Sequence, residues 1–365
     1  MTLAASMTHV LLQPVRAVAS LQPVFAVALL KPVIVAALAA ALTGCLFQDE
    51  VQSFGGPTMG STYSVKYVAV HDAPATTQLQ QETESILAEI DKQMSTYRVD
   101  SDIEAFNALP AGECMAMPSG VRELVLAGQQ LSHESDGALD LTIEPLLNLW
   151  GFGPQGRGER VPSEEEIAKV RQDVGQQHLR IEGEKLCKTR AVQVDFNSIA
   201  AGYAVDQVTA KLEASGVSSY LVEITGELKA RGRKPDGTPW RIAIEAPHDD
   251  ERVAQQIIEL DGYGVSTSGD YRNYFERDGK RYSHTLDPQT GAPIDHHLAA
   301  VTVVDPSTLR ADGLSTVLMV LGPERGMAYA AERKIAAFFV IREGQKFVSR
   351  STEAFDELFG AGVEQ

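Results

Sequence analysis

Between Val265 and Thr316 the chain concentrates groups capable of chemistry: V-S-T-S-G-D-Y-R-N-Y-F, then R-Y-S-H-T-L-D-P-Q-T-G, then A-D-G-L-S-T. Hydroxyls, carboxylates, Arg272 and His284 are punctuated by glycines, which let backbone approach a ligand closely. His284 sits where an expected strand runs into a loop, a common address for reactive groups. It reads either as a general base or as a satisfied structural histidine. Asp312 and Thr316, four apart at the start of an apolar run, would share one helical face one turn apart. Such a pair can offer oxygen ligands to a hard cation such as Mg²⁺; as plain structure, Asp312 would be a helix N-cap. Asp270 and Arg272 read equally as phosphate partner or structural ion pair.

The elements that must position these residues follow from pattern. Asn273–Phe275 and Arg281–Tyr282 form a hairpin around Asp278-Gly279, a pair that tolerates positive φ. Leu298 to Val304 reads as a strand, Ala311 to Leu321 and Glu324 to Glu332 as helices, and Ile335 to Ile341 as a buried strand. Upstream, Thr58 to Tyr67 opens the folded part as a strand, with Gly60 marking a bulge or close backbone approach. Thr77 to Met94 is a helix with Ile86, Leu87 and Ile90 on one face, and another spans Ser119 to Ser135. Pro162-Ser163-Glu164-Glu165-Glu166 opens a helix with a capping box. A strand at Val192–Phe196 leads into a helix to about Ala214, a junction whose free amides suit an anion. Tyr220–Leu228 and Trp240–Glu245 are strands joined through the Arg233–Gly237 turn. Apparent hairpins mixed with helices imply α+β rather than a doubly wound sheet.

Composition narrows the functions. Hydrophobic residues at 44% and charged residues at 22% are ordinary for a globular protein. A formal charge of −17 argues against nucleic acid as a partner, and a polyanionic ligand would need local cations or a metal. Gly151, Gly153 and Gly156 satisfy G-x-G-x-x-G, but Pro154 interrupts the run and no strand-to-helix transition surrounds it, so Gly151 to Val161 reads as a surface loop. There is no phosphate loop of the Lys-Ser/Thr type, which excludes an ordinary NTPase, and no Cys/His cluster for zinc.

Residues 1–44 carry Arg16, Lys31, no acid and long apolar runs ending in Leu42-Thr43-Gly44-Cys45. An apolar stretch from Pro32 to Leu42 before small residues makes a secretory signal. The ending resembles a bacterial lipobox, in which Cys45 is acylated and begins the mature chain. An N-terminal membrane helix and an ordinary cleaved signal are the alternatives. Cys114 and Cys187 remain, a disulfide only if the fold brings them together.

Taken in order, T-M-G-S-T-Y, M-S-T-Y-R, D-G-A-L-D-L-T-I-E-P-L-L-N-L-W-G-F-G, D-F-N-S-I-A-A-G-Y-A-V-D, S-T-S-G-D-Y-R-N-Y, Y-S-H-T-L-D-P-Q-T-G and A-D-G-L-S-T resemble the FAD:protein FMN transferases, the ApbE family. The blocks run from about Thr58 to Leu321. The resemblance implies a single mixed α+β catalytic domain of the ApbE-like, T-fold-related type over residues 58–365, after a signal peptide (1–44) and a lipid-anchored linker (45–57). It implies that Mg²⁺-bound FAD is split at its pyrophosphate, FMN passing to a threonine or serine hydroxyl and AMP leaving. Mg²⁺ ligands would be the Asp312 and Thr316 side chains and the Ser198 carbonyl, with His284 as the base. FAD would be held by Met59, Tyr97, Ala138, Leu139, Asp140, Asp195 and the backbone near Leu286. Ala201 falls in the same set by position, but many relatives carry Lys there. Thr225 replaces a glycine of the usual E-I-G-G-E block, and Gly313 an alanine. The implied partners are an exported flavoprotein domain of a membrane redox complex and, through acyl chains, the lipid bilayer, with the enzyme facing the periplasm. An Mg²⁺-dependent FAD pyrophosphatase and a non-catalytic FAD-binding lipoprotein are the competing readings.

Overall fold

The computed structural model describes residues 50–360 other than 71–73, 157, 247–253, 272 and 345. The expected signal, Cys45 and Arg272 lie outside the described residues. No helix among the described residues is long and apolar enough to cross a membrane.

The chain builds an eight-stranded sheet whose spatial order follows chain order: β1 (Val51–Thr58), β2 (Ser61–Val68), β3 (Tyr220–Ile224), β4 (Glu227–Arg231), β5 (Tyr263–Gly269), β6 (Leu298–Asp305), β7 (Ala336–Glu343) and β8 (Lys346–Ser351). Every neighbouring pair is antiparallel. Eight α-helices accompany it among the described residues: α1 (Thr76–Met94), α2 (Asp102–Asn107), α3 (Ser119–Glu134), α4 (Glu144–Trp150), α5 (Glu164–Val170), α6 (Ala200–Ala214), α7 (Thr308–Glu332) and α8 (Glu353–Phe359). Antiparallel pairing with helices inserted between strands is the α+β class expected.

The strand period of two divides the interior. In β7, Ala337, Phe339 and Ile341 enter the large core with α1, α3, α6 and α7, while Ala336, Phe338 and Val340 enter a second core. The hairpin Trp240–Glu245/Ala254–Leu260 and Phe355 of α8 complete that second core. Helix α1 buries Leu79, Thr83, Leu87, Ile90 and Met94, spaced by four or three as a single face requires, while Ile86 is only partly covered. The capping box at Ser163 is present with both reciprocal bonds. The disulfide Cys114–Cys187 forms across a small sheet of Cys114–Ala116, Lys185–Lys188 and Leu179–Glu182.

Four expectations need correction. Residues 51–57, read as linker, form β1, which pairs with β2 along its whole length from Val51↔Val68 to Thr58↔Ser61. Gly60 makes neither bulge nor close approach: Met59 (φ 45°) and Gly60 (φ 75°) are the hairpin turn, and nothing lies within 4 Å of an added Cβ. Val192–Phe196 belongs to no strand, because its amides are taken elsewhere, Val194 N by the Asn107 side chain at 2.7 Å and Asp195 N by Leu141 O at 2.7 Å. Tyr220–Leu228 is two strands, β3 and β4, folded at Thr225 (φ 55°) and Gly226 (φ 115°).

Candidate active site

Helix α7 and strand β5 meet along matched faces. Ser307 caps α7, its Oγ accepting from Arg310 N at 3.3 Å, so Asp312 is an interior helical residue and not the N-cap. The alternation in S-T-S sends Ser266 and Ser268 towards α7, while Thr267 points away to Thr302, with 2.8 Å between hydroxyls. Ser266 Oγ stands 3.4 Å from Asp312 Oδ1 and 3.4 Å from Glu227 Oε1, placing one hydroxyl between two carboxylates. Asp312 Oδ2 accepts from Gly202 N at 2.9 Å. Helix α6 can come this close only because residue 202 is glycine: a Cβ there would lie 2.4 Å from Thr308 O.

The electrostatics follow from crowding acids in a dry place. Burial, then the neighbouring Glu227 charge, holds the Asp312 carboxyl well above the usual carboxylate range. Burial pushes Glu227 up to about 7. No described cation contributes to either shift. A hard cation would relieve both, and the surrounding donors are all oxygen.

His284 follows directly on the hairpin Tyr274–Arg277/Lys280–Ser283, whose turn at Asp278 (φ 53°) and Gly279 (φ 74°) has the expected geometry. Its Nδ1 lies 2.9 Å from Asn273 O, which also accepts the His284 backbone N–H at 3.1 Å. A carbonyl can only accept, so Nδ1 carries the proton and Nε2 presents a lone pair. Burial lowers the imidazole pKa, keeping the ring neutral. Phe152 lies edge-on to the imidazole at 6.5 Å and stacks on Phe275 at 5.4 Å, so an aromatic wall backs the ring.

One cavity of about 420 Å³ joins these groups. Its walls include Ala138, Leu139, Asp140, Asp195, Ser198, His284, Leu286, Asp312 and Thr316, all expected from sequence. Asp195 accepts from Asn197 N at 2.7 Å and Asn197 Nδ2 at 2.9 Å, and burial pushes it up to about 6. Asp140 Oδ1 is held by Thr142 N at 2.8 Å and its hydroxyl at 2.7 Å. Three expected residues stand off the cavity wall. Met59 occupies the β1–β2 turn, Ala201 the first turn of α6, and Tyr97, 66% exposed, the segment after α1. Tyr97 still feels the Asp195 and Glu144 charges, which follow burial in raising its pKa. Asp270 pairs with Arg342, two oxygens to two nitrogens at 3.1 Å each.

Sequence reasoning missed Glu227, the last residue of E-I-T-G-E, because that block was taken as continuous strand. It also missed Asn273, which acts through its carbonyl, invisible in a side-chain pattern. The departure at Gly313 has a physical reason: a Cβ there would lie 2.3 Å from Leu131 Cδ1.

Known proteins resemble this chain in sequence and fold. The chain is 44% identical over 315 residues to a FAD:protein FMN transferase of Vibrio cholerae, covering 86% of this chain and 94% of that one. It is 38% identical over 303 residues to that of Escherichia coli K12, covering 82% and 86%. Among solved structures it resembles the apo form of Pseudomonas stutzeri flavinyl transferase ApbE, with TM-score 0.83, 73% identity and coverage of 87% and 99%. The flavin transferase ApbE from Vibrio cholerae superposes with TM-score 0.79 at 42% identity, covering 85% and 100%. Fold, cavity and these likenesses define an enzyme of the transferase class. The chain belongs to the ApbE family, whose model matches residues 59–339.

Proposed function

We propose that this enzyme moves the FMN portion of FAD onto a threonine or serine hydroxyl of an acceptor flavoprotein, with Mg²⁺ as cofactor and AMP as leaving product. The names of its relatives support the substrate pair. The observation that carries the chemistry is His284, its Nδ1 committed to Asn273 O and its Nε2 left to accept, in the same cavity as the Asp312–Glu227 acid pair. The acceptor oxygen bonds to the FMN phosphorus, the phosphorus–oxygen bond to AMP breaks, and the hydroxyl proton passes to His284 Nε2.

Mg²⁺ fits the donor set, since two buried carboxylates face each other beside hydroxyls with no described cation contributing to their shifts. The Asp312, Thr316 and Glu227 side chains and the Ser198 carbonyl would hold it. When bound it supplies charge neutralisation for the two phosphates in an otherwise acidic protein. Asp195, Asp140, Ala138, Leu139 and Leu286 would seat the dinucleotide, with Tyr97, Met59 and Ala201 contributing from outside the cavity wall and Tyr97 able to stack on a planar ring.

The acceptor is an exported flavoprotein domain of a membrane redox complex, and the enzyme is anchored to the bilayer by acyl chains on Cys45, facing the periplasm. The lipobox-like ending supports that placement, and the Cys114–Cys187 disulfide suits an oxidising compartment. The test incubates detergent-solubilised enzyme with FAD, Mg²⁺ and a candidate acceptor domain, and weighs acceptor mass against AMP formed. An FMN adduct matching AMP is expected, lost in Asp312→Ala and His284→Ala. AMP and free FMN with no adduct on two acceptors would make it a pyrophosphatase, and bound, intact FAD a carrier.

A further inference from the structure

Among the described residues, the most heavily hydrogen-bonded carboxylate outside the cavity walls is Asp206, and its four partners lie on the elements that present the acid pair. Oδ1 accepts from Lys229 Nζ at 2.8 Å and Thr308 N at 3.1 Å. Oδ2 accepts from Ser307 Oγ at 2.9 Å and Leu309 N at 3.1 Å. Asp206 thereby ties α6 to the first turn of α7 and to β4.

Each tie ends close to a cavity carboxylate. Lys229 and Glu227 alternate on β4, so both side chains leave the same face of the strand. Thr308 lies one helical turn before Asp312, and Gly202, the amide donor to Asp312 Oδ2, lies one turn before Asp206. Two parallel links, Gly202 to Asp312 and Asp206 to Thr308, therefore join α6 to α7. The third, Asp206 to Lys229, holds β4 against both. Besides this tie, Ser266 between the two carboxylates, Thr225 Oγ1 on Glu227 and Gly202 N on Asp312 are the hydrogen bonds that hold these mutually repelling acids.

We propose that Asp206 is a positioning residue for the reaction: it sets the separation of Glu227 and Asp312, and so the affinity of the site for its divalent cation. The inference rests on the cation reading given above. A carboxylate is required because two of its four donors are backbone N–H groups of a helix start, where a full negative charge is also favoured. Asparagine would offer one accepting oxygen and turn an NH₂ group towards N–H donors.

Binding of Mg²⁺ to the intact, detergent-solubilised enzyme is measured by calorimetry and, separately, as the Mg²⁺ dependence of FAD turnover. Asp206→Asn is compared with Lys229→Met and with Thr352→Val, which removes the cap of the distant α8. Loss of a partner that orients metal ligands costs about ten- to a hundredfold in metal affinity. Asp206→Asn is therefore expected to raise the Mg²⁺ dissociation constant at least about tenfold, with excess Mg²⁺ restoring most of the turnover. Lys229→Met should give a smaller rise, and Thr352→Val a lower melting temperature with unchanged Mg²⁺ affinity. Wild-type affinity in Asp206→Asn would overturn the proposal and leave Asp206 a structural clamp. Should Asp206→Asn fail to fold, wild-type affinity in Lys229→Met would overturn it equally. A wild-type enzyme that takes up no Mg²⁺, with or without FAD, would instead remove the cation reading itself.

Discussion

Gly202 N donates to Asp312 Oδ2 at 2.9 Å, joining residues 110 apart in the chain. This contact requires α6 and α7 to touch backbone to side chain. In Gly202→Ala the new Cβ would lie 2.4 Å from Thr308 O and 2.8 Å from Asp312 Cβ. Neither obstacle is the free end of a flexible side chain, so the helices must separate. We expect a loss of about 1–3 kcal/mol in urea unfolding and a fall in turnover larger than the stability loss explains. Full turnover in a destabilised Gly202→Ala would show that the helix contact is structural only.

His284 must be neutral to accept a proton, and burial lowers its pKa from 6.5. The acid limb of the pH–rate profile therefore lies below 6.5, and activity holds at a pH where an exposed histidine would already be half protonated. His284→Ala should retain FAD binding by fluorescence and lose transfer by a factor of about 10²–10⁴. A limb above 6.5, or undiminished transfer in the variant, would remove His284 as the base.

What was legible in the sequence was local. Asp278-Gly279 forecast the hairpin that delivers His284, and the spacing of Asp312 and Thr316 forecast a shared helical face. What was hidden depended on partners far along the chain. Val192–Phe196 has a strand's apolar alternation, yet Asn107 and Leu141 claim its amides. Residues 51–57, read as linker, hold Gly55, Gly56 and Pro57 and still form β1, an edge strand, where a proline without an N–H is tolerated. Glu227 was missed because β-branched Thr225 does not announce the turn that precedes it.

Glu144 makes stability fall as pH rises. It is 1% exposed, and burial, then the Asp195 charge, pushes its pKa up to about 8 from 4.5. Between those values the unfolded chain has released the proton that the folded chain keeps, so rising pH favours unfolding throughout the window. Glu144→Gln removes the charge and keeps one accepting oxygen where Asn107 and Asn148 now use two, a loss that does not depend on pH. The melting temperature of the variant should exceed wild type by more at pH 8 than at pH 5. An equal difference at both would assign Glu144 an ordinary carboxylate pKa.

His296 acts in the opposite sense. Helix α7 breaks at Gly322 before Pro323, which has no N–H to offer Met319 O, and His296 Nε2 supplies the missing donor at 2.8 Å. Nδ1 accepts from Leu298 N at 3.3 Å, so the neutral ring uses both nitrogens. Burial lowers the pKa below 6.5. The stability it contributes is present above 6.5 and is lost as pH falls through the lowered folded value. His296→Ala should cost about 1–3 kcal/mol at pH 7.5 by leaving a buried carbonyl unpaired, and should flatten the acid side of the stability profile. An unchanged acid slope would place the titration elsewhere.

Thr225 sets stability against function. A β-branched residue at φ 55° is strained, and the cost of the left-handed region is about 1–2 kcal/mol for an L residue. Its hydroxyl donates to Glu227 Oε2 at 3.2 Å, so the strain holds a cavity carboxylate. Thr225→Gly removes both strain and hydrogen bond. After the entropy glycine adds to the unfolded chain, a net gain of about 0.5–1 kcal/mol is expected in urea unfolding. Glu227 then loses one of its two hydroxyl donors and keeps Ser266 at 3.4 Å. Half-saturating Mg²⁺ should rise in the same variant, since freeing a ligand side chain lowers metal affinity. A stabilised variant with unchanged Mg²⁺ dependence would mean that Ser266 alone orients Glu227; a destabilised one would mean that the hydroxyl, not the backbone, decides the turn.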